Sequence, residues 1–319
     1  MNKCFGCLKT IRQGNYCNSC LRKLFDGKIP VLNLKKAEFQ TVRYQLIDHF
    51  SMSGVQDKIS LKLDSNQLIP TQVKGEYILK PVPAYVPEFQ NDVPANEHLT
   101  MQIARQIFKI GTAENAIIPF QDGELAYLTK RFDRRNENKL HMEDLCQLME
   151  ITPETHGENF KYESSYQEVG NTLKQFCDAP KIEIEKLYKI IFFNYVFGNG
   201  DAHLKNFSLI ESVNDDFILS PAYDLINTYL HFPEESRMAL DLFTDFETEF
   251  FQKNGFYGRV DFLKLAEFYG IKSERAQRMI NAFLTARNHV CEMIKSSFLS
   301  EPAQEKYLDI YADRMKAIT

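Results

Sequence analysis

Asp201 and Asn206 stand five residues apart in Asn199-Gly200-Asp201-Ala202-His203-Leu204-Lys205-Asn206, and Asp224 follows in Pro221-Ala222-Tyr223-Asp224. An aspartate with an asparagine five positions on is the spacing of a phosphoryl-transfer loop, where the aspartate takes a hydroxyl proton and the asparagine holds a metal. A further aspartate at the end of a short strand supplies the second metal contact. Three oxygen-bearing residues at these intervals can surround a Mg-nucleotide. Asp201, His203 and Lys205 form the candidate catalytic set, with Asn206 and Asp224 as Mg ligands. His203 is read either as a contact to the transferring phosphate or as a hydrogen-bonding brace of the loop.

Phosphoryl transfer also needs a cover over the phosphates and a cation for their charge. Ser51-Met52-Ser53-Gly54-Val55-Gln56-Asp57-Lys58 precedes a strand and can wrap phosphate with backbone N–H groups. With one glycine it is a weak signal, and taken alone it reads as a polar turn before a strand. Lys80 closes the strand Glu76-Tyr77-Ile78-Leu79-Lys80 and is the cation for the phosphates. Glu97, on the next helix, is its candidate partner. Taken singly, each is as well a solvated strand terminus or a helix-surface residue.

The elements that must position these residues are legible from periodicity. Ile59, Leu61 and Leu63 alternate with polar neighbours, as in a half-buried strand, and Leu125–Thr129 is another. Val82 to Pro94 reads as an irregular loop. Asp92 is expected to cap a helix with Pro94 in its first turn and Leu99, Ile103 and Phe108 among its apolar residues. Ile184, Leu187, Tyr188, Ile191 and Tyr195 follow a helical period that stops at Gly198. A second helical pattern, from Ser273 through Ala276, Ile280, Phe283, Val290 and Ile294, predicts one long helix. Phe207–Ile210 and Phe217–Leu219 flank a turn, so Asn206 and Asp224 fall at the outer ends of one hairpin. The fold class is therefore α+β, with a strand-rich N-lobe and a helical C-lobe.

Cys4, Cys7, Cys17 and Cys20 form C-x2-C-x9-C-x2-C. Two thiolate pairs on tight turns can close a tetrahedral S4 shell around a structural zinc, the expected state in a reducing compartment. Disulfides are the alternative, and a cytosolic setting disfavours them. Cys146, Cys177 and Cys291 are dispersed and read as small buried side chains. The expected organisation is a zinc knuckle over residues 1–25, the N-lobe with a linker to about residue 42 over 26–135, and the helical C-lobe over 136–319.

The 319 residues carry a formal charge of −5 and are 44% hydrophobic, which argues against a globally basic nucleic-acid binder. No apolar run reaches the roughly 18 residues of a membrane span, and no apolar signal core opens the chain. A cytoplasmic location with no membrane partner is expected.

Several ordered motifs carry a resemblance: Ser51 to Lys58, Ile78-Leu79-Lys80-Pro81, Asn96-Glu97, Lys130-Arg131-Phe132-Asp133-Arg134, Glu143-Asp144-Leu145-Cys146-Gln147, Lys161-Tyr162-Glu163, Asp201 to Asn206 and Ala222-Tyr223-Asp224. Through most of residues 50 to 300 the chain resembles the HipA family of bacterial serine/threonine kinases, toxins of toxin–antitoxin modules. The resemblance implies a two-lobed protein-kinase-like fold using ATP and Mg2+. It implies Asp201 as base, Asn206 and Asp224 as Mg ligands, and Lys80 on the nucleotide phosphates. Ser53, Gly54 and Val55 would cover those phosphates. Lys130 to Phe132 would form the hinge that meets adenine, with Asp133 near the ribose, and Ser51 and Ser53 would be autophosphorylated. An aminoacyl-tRNA synthetase substrate and a helix-turn-helix antitoxin are implied partners, with DNA reached only indirectly.

One departure stands out. About fifty residues precede Ser51, where a full-length family member carries about a hundred. This resembles the HipT-type split arrangement, in which a separate small protein supplies the missing N-subdomain. The cysteine knuckle belongs to neither pattern. Two other readings share the fold: a non-catalytic kinase-like binding protein, and a small-molecule kinase.

Overall fold

The first cysteines sit on a short hairpin, β1 (Asn2–Lys3) with β2 (Thr10–Ile11), and the last pair leads into helix α1 (Asn18–Phe25). The structure is a computed structural model that describes residues 2–46, 57–135 and 138–319. The stretch expected as a linker is ordered structure instead, with β3 (Val31–Leu32) and α2 (Phe39–Leu46). The reason is its apolar content: Leu32, Leu34 and Phe39 are buried against Leu61 and Leu68.

The expected strands fold as β4 (Ile59–Asp64), β6 (Tyr77–Lys80) and β8 (Leu125–Lys130). With β5 (Gln67–Pro70) and β7 (Asn115–Pro119) they build a six-stranded sheet in the order β3-β5-β4-β6-β8-β7. Only β3 with β5 is parallel. Between β6 and β7 lies helix α3 (Val93–Gln106), with Pro94 in its first turn. Asp92 precedes the helix but does not cap it with its side chain. Its carboxylate instead accepts from the Ser300 backbone N–H at 2.6 Å and from Ser300 Oγ at 2.8 Å. Phe108 lies beyond the end of α3, buried in the core.

The second lobe opens with the hairpin β9 (Arg134–Arg135) and β10 (Asn138–Lys139), then β11 (Met142–Asp144). Short helices α4 (Leu145–Leu148) and α5 (Pro153–His156) lead to α6 (Tyr166–Phe176) and the long apolar α7 (Pro180–Val196). The expected hairpin is β12 (Ser208–Glu211) with β13 (Phe217–Leu219), in register Leu209 opposite Leu219. A strand not expected from the sequence, β11, pairs with β12 and widens it to three strands. Helices α8 (Glu249–Asn254) and α9 (Arg259–Tyr269) precede the predicted long helix. That helix is two, α10 (Ser273–Thr285) and α11 (Arg287–Lys295), before α12 (Glu301–Ala317). The break falls at Ala286, whose ψ of −2° interrupts the ladder. Phe283 and Val290 both stay buried across it, so the apolar period carries no sign of the break.

Two cores result. The larger packs α7 against the C-terminal helices and includes Leu99, Ile103 and Ala104 of α3. The smaller lies on the sheet and includes Cys4, Tyr16, Leu24 and Phe25 of the knuckle with Leu61, Leu79 and Leu128. The knuckle thus shares its core with the sheet. Among the described residues no helix is long and apolar enough to cross a membrane.

Candidate active site

Helix α7 ends at Val196 and Gly198, at φ +65°, turns the chain back. A Cβ there would lie 2.8 Å from Asn227 Oδ1, so the turn suits glycine in both conformation and space. Ala202 and Leu204 are fully buried and anchor the loop with the buried His203 between them, while Asp201 and Asn206 are half-buried and Lys205 is exposed. Asp201 N–H donates to Asn199 Oδ1 at 3.2 Å and Gly200 N–H to Thr228 Oγ1 at 2.8 Å. A Cβ on Gly200 would sit 2.5 Å from the Ser236 carbonyl oxygen, so only glycine fits that approach. Asn206 leads into β12 and Asp224 follows β13, and both line one small cavity.

Three elements converge on Lys80. Its ammonium lies 2.8 Å from Glu97 Oε1, on α3, and 2.6 Å from Asp224 Oδ1. Lys80 and Glu97 are buried, while the Asp224 side chain is 42% exposed and can face a ligand. Asp224 holds the left-handed conformation at φ +54°, unusual for a non-glycine residue and common at sites where the surroundings enforce it. Burial disfavours the Lys80 charge, but the two carboxylates outweigh it and raise its pKa. Burial pushes the Glu97 carboxyl up to about 7 against the pull of Lys80. Burial also acts on Asp224, yet the Lys80 charge prevails and holds it below the usual carboxylate range.

Asp201 is 44% exposed at its side chain. Tyr162 donates its hydroxyl to Asp201 Oδ1 at 2.5 Å. Lys161 Nζ and His203 Nε2 stand 3.9 and 3.8 Å from the same oxygen. Burial lowers the His203 pKa, favouring the neutral ring, and its Nδ1 is buried with no partner among the described residues. Tyr162 and Lys161 have a place in a sequence motif but no role that the sequence assigns. They lie far from Asp201 along the chain, and no local period joins them to it. Glu235, which the sequence does not single out, is half-buried beside Gly200 and accepts from Thr228 Oγ1. Burial raises its carboxyl to about 7, with Thr228 opposing and Asp201 adding to the rise.

The other expected residues divide. Lys205 is engaged by Asp144 at 2.8 Å, and Asp144 also caps α4. Phe132 packs on Tyr223, ring centroids 5.7 Å apart, next to Asp224. Lys130 turns its side chain to the knuckle, 3.1 Å from Asp26 Oδ1. The backbone N–H groups of Lys130 and Arg131 already donate to Glu114 and Glu76 carbonyls. The Asp133 carboxylate is paired within the protein. Arg131 grips both carboxylate oxygens at 2.9 and 2.6 Å, which leaves it buried and internally paired. Ser51, Ser53, Gly54 and Val55 lie outside the described residues. Asp57, at the end of that expected loop, pairs with Arg43 at 2.9 Å.

The four knuckle cysteines form a cluster that can hold a metal, with their sulfurs all within 4.8 Å of one another. Of the dispersed cysteines, Cys146 and Cys177 are buried, as expected, and Cys291 is half-buried.

The family model for the HipA-like C-terminal domain matches residues 50–290. An inferred kinase of Haemophilus influenzae is 28% identical over 338 residues, covering 99% of this chain and 97% of that protein. The serine/threonine-protein kinase toxin HipA of Shewanella oneidensis is 25% identical over 210 residues, 60% of this chain and 46% of that protein. The solved complex of Shewanella oneidensis HipA with HipB and operator DNA contains a chain of similar fold. Its TM-score is 0.67 at 20% identity, over 90% of this chain and 71% of that one. The two-lobed kinase-like fold read from the sequence is therefore the fold of the structure, and the chain belongs to the HipA-like C-terminal domain family.

Proposed function

We propose that the protein is a Mg-ATP-dependent serine/threonine protein kinase, the toxin of a toxin–antitoxin module. The observation that carries this reading is the convergence of Lys80, Glu97 and Asp224 from three separate elements beside the loop of Asp201 and Asn206. A binding module has no need of a buried lysine shared between two carboxylates, a costly arrangement unless the charge is used. The donor atoms fit the ion: Asp224 and Asn206 offer hard oxygens, which suit Mg2+.

Bound Mg-ATP supplies the phosphoryl group and the metal charge that offsets its oxygens. In this reading Asn206 and Asp224 hold the metal. Lys80 presents its charge to the phosphates while Glu97 keeps it in place. Asp201 accepts a hydrogen bond from the target serine hydroxyl and takes its proton. Tyr162 fixes the Asp201 carboxylate, and Lys161 adds positive charge at its side. His203, neutral and buried, braces the loop. Ser51 and Ser53 are the proposed autophosphorylation sites, and the knuckle cysteines hold a structural zinc.

The partners follow from the same reading. An aminoacyl-tRNA synthetase is the proposed substrate and a helix-turn-helix antitoxin the proposed inhibitor, in keeping with the HipA–HipB complex of similar fold. A small separate N-subdomain protein completes the assembly. With a charge of −5 the chain meets DNA through the antitoxin rather than directly. The test is transfer of labelled phosphate from ATP to lysate proteins by wild type and by Asp201→Asn. Wild type labels a discrete target and itself; Asp201→Asn labels neither but still binds Mg-ATP. Labelling by Asp201→Asn equal to wild type overturns the assignment.

A further inference from the structure

Cys7 Sγ and Cys17 Sγ lie 3.9 Å apart in the knuckle. A tetrahedral zinc with Zn–S bonds of about 2.3 Å sets its sulfurs roughly 3.8 Å apart, whereas a disulfide needs about 2 Å. Cys4 Sγ accepts the Cys17 backbone N–H at 3.2 Å, which also suits a thiolate. Gly6 is required between the first pair, because a Cβ there would fall 2.8 Å from Cys20 Sγ. The geometry is that of a metal centre.

The backbone carrying these sulfurs is wedged among three parts of the molecule. On the sheet edge, Ile117 N–H donates to the Phe5 carbonyl at 2.9 Å and Tyr16 Oη to the Ile117 carbonyl at 2.7 Å. On the C-lobe, Lys3 Nζ reaches the Ser297 carbonyl at 3.2 Å, and the Phe5 ring meets Phe298 edge-on at 5.2 Å. On α3, Gln106 donates from its last turn to the Cys7 carbonyl at 2.9 Å. Phe298 in turn lies 6.3 Å from the ring of His98, the neighbour of Glu97. Phe5 and Cys7 are therefore both part of the metal loop and part of the packing that fixes α3. A segment this short has no core of its own, so a bound metal would add to the packing on the sheet that holds its loops in place.

We propose that the metal in the Cys4–Cys7–Cys17–Cys20 centre sets the position of α3, and through Glu97 the placement of Lys80, so that nucleotide binding depends on metal occupancy. The proposal rests on the reading of the Lys80 site as a Mg-ATP site. A centre of this kind couples two sites through one rigid helix, and the Lys–Glu pair is what helix position controls in kinase sites.

The test uses the full chain, zinc-loaded and zinc-stripped by a chelator. Three quantities are read: zinc content, hydrogen exchange across residues 93–106, and affinity for a fluorescent ATP analogue with Mg2+. The expected result is one zinc per chain, with stripping that speeds exchange in α3 and weakens nucleotide binding at least tenfold. Phe5→Ala and Gln106→Ala keep the zinc but loosen the wedge, and each should weaken binding a few-fold. Stripped protein with unchanged α3 exchange overturns the proposal, as does loaded protein without stoichiometric metal. If stripping unfolds the whole chain, the two zinc-retaining variants decide: wild-type exchange and affinity in both overturns it. If the loaded protein binds no nucleotide at all, the kinase reading fails, and the exchange of α3 still decides the metal's role.

Discussion

Lys80 is claimed by two carboxylates at once, and the protonation of one of them sets how firmly it is held. Glu97 titrates at about 7 because burial disfavours its charge. The sign follows directly: the folded chain protonates Glu97 as pH falls through 7, which removes its charge and leaves Lys80 to Asp224. Asp224 is then drawn from the metal it is proposed to bind. kcat/KM for ATP, which reports the free enzyme, should therefore fall as pH drops below about 7. Glu97→Gln should be low at all pH and lack that step, while Glu235→Gln, which alters the other group near 7, should retain it. An unchanged inflection in Glu97→Gln would show that a different group is responsible. At Asp201 the corresponding residue is Tyr162, whose hydroxyl orients the carboxylate. A hydrogen bond to a charged acceptor is worth about 1.5–3 kcal/mol, so Tyr162→Phe should lower kcat about tenfold or more. Its KM for ATP should be unchanged, because Tyr162 touches neither Lys80 nor Asp224. Single-turnover kinetics would separate the two, and a KM effect without a kcat effect would contradict the role.

The elements legible in the sequence are those whose partners lie close by along the chain. The β12–β13 hairpin announces itself by a turn between two apolar runs, and that pairing alone implies that Asn206 lies near Asp224. Strand β4 is legible from alternation, and β6 from its short run stopped by Pro81. Helix α3 is legible too, but its surroundings are not. Asn96, His98, Thr100 and Gln102 are polar and lie on two opposite sides of the helix, yet all are buried. Each meets a partner outside the helix: Asn96 donates to the Asn227 carbonyl at 2.8 Å, His98 Nδ1 and Gln102 meet Asn115, and Thr100 meets Tyr307, while His98 Nε2 has no partner among the described residues. Burial of a polar residue depends on partners far along the chain, and periodicity has no access to them. The same limit hides the pairing of β3 and the docking of the knuckle. Asp92 shows the consequence for stability, since its carboxylate joins the start of α3 to the start of α12. Asp92→Ala removes two charge-assisted hydrogen bonds and strands the Ser300 N–H. It should cost about 2–4 kcal/mol, measured by urea unfolding. A loss under about 0.5 kcal/mol would show that water replaces the carboxylate there.

A two-lobed chain of this size is ordinarily expected to unfold in parts, and here the packing argues otherwise. Helix α3 belongs by sequence to the strand-rich lobe, inserted between β6 and β7. By packing it belongs to the helical lobe, since Leu99, Ile103 and Ala104 sit in the larger core. Its other side is bound to the sheet through His98 and Gln102, which meet Asn115 of β7. Neither lobe can lose α3 without exposing apolar surface and breaking buried hydrogen bonds, so the lobes should be thermodynamically coupled. The expected outcome is a single calorimetric transition for the metal-loaded chain. Leu99→Ala, at a fully buried position, should cost about 2–5 kcal/mol. It should move the whole transition down rather than split it. Two resolved transitions in the wild-type protein, or a split produced by Leu99→Ala alone, would mean that α3 belongs to one lobe only. Coupling of this kind also gives the site its rigidity: the helix that holds Glu97 against Lys80 is packed in the larger core and hydrogen-bonded to β7, so its displacement strains both lobes.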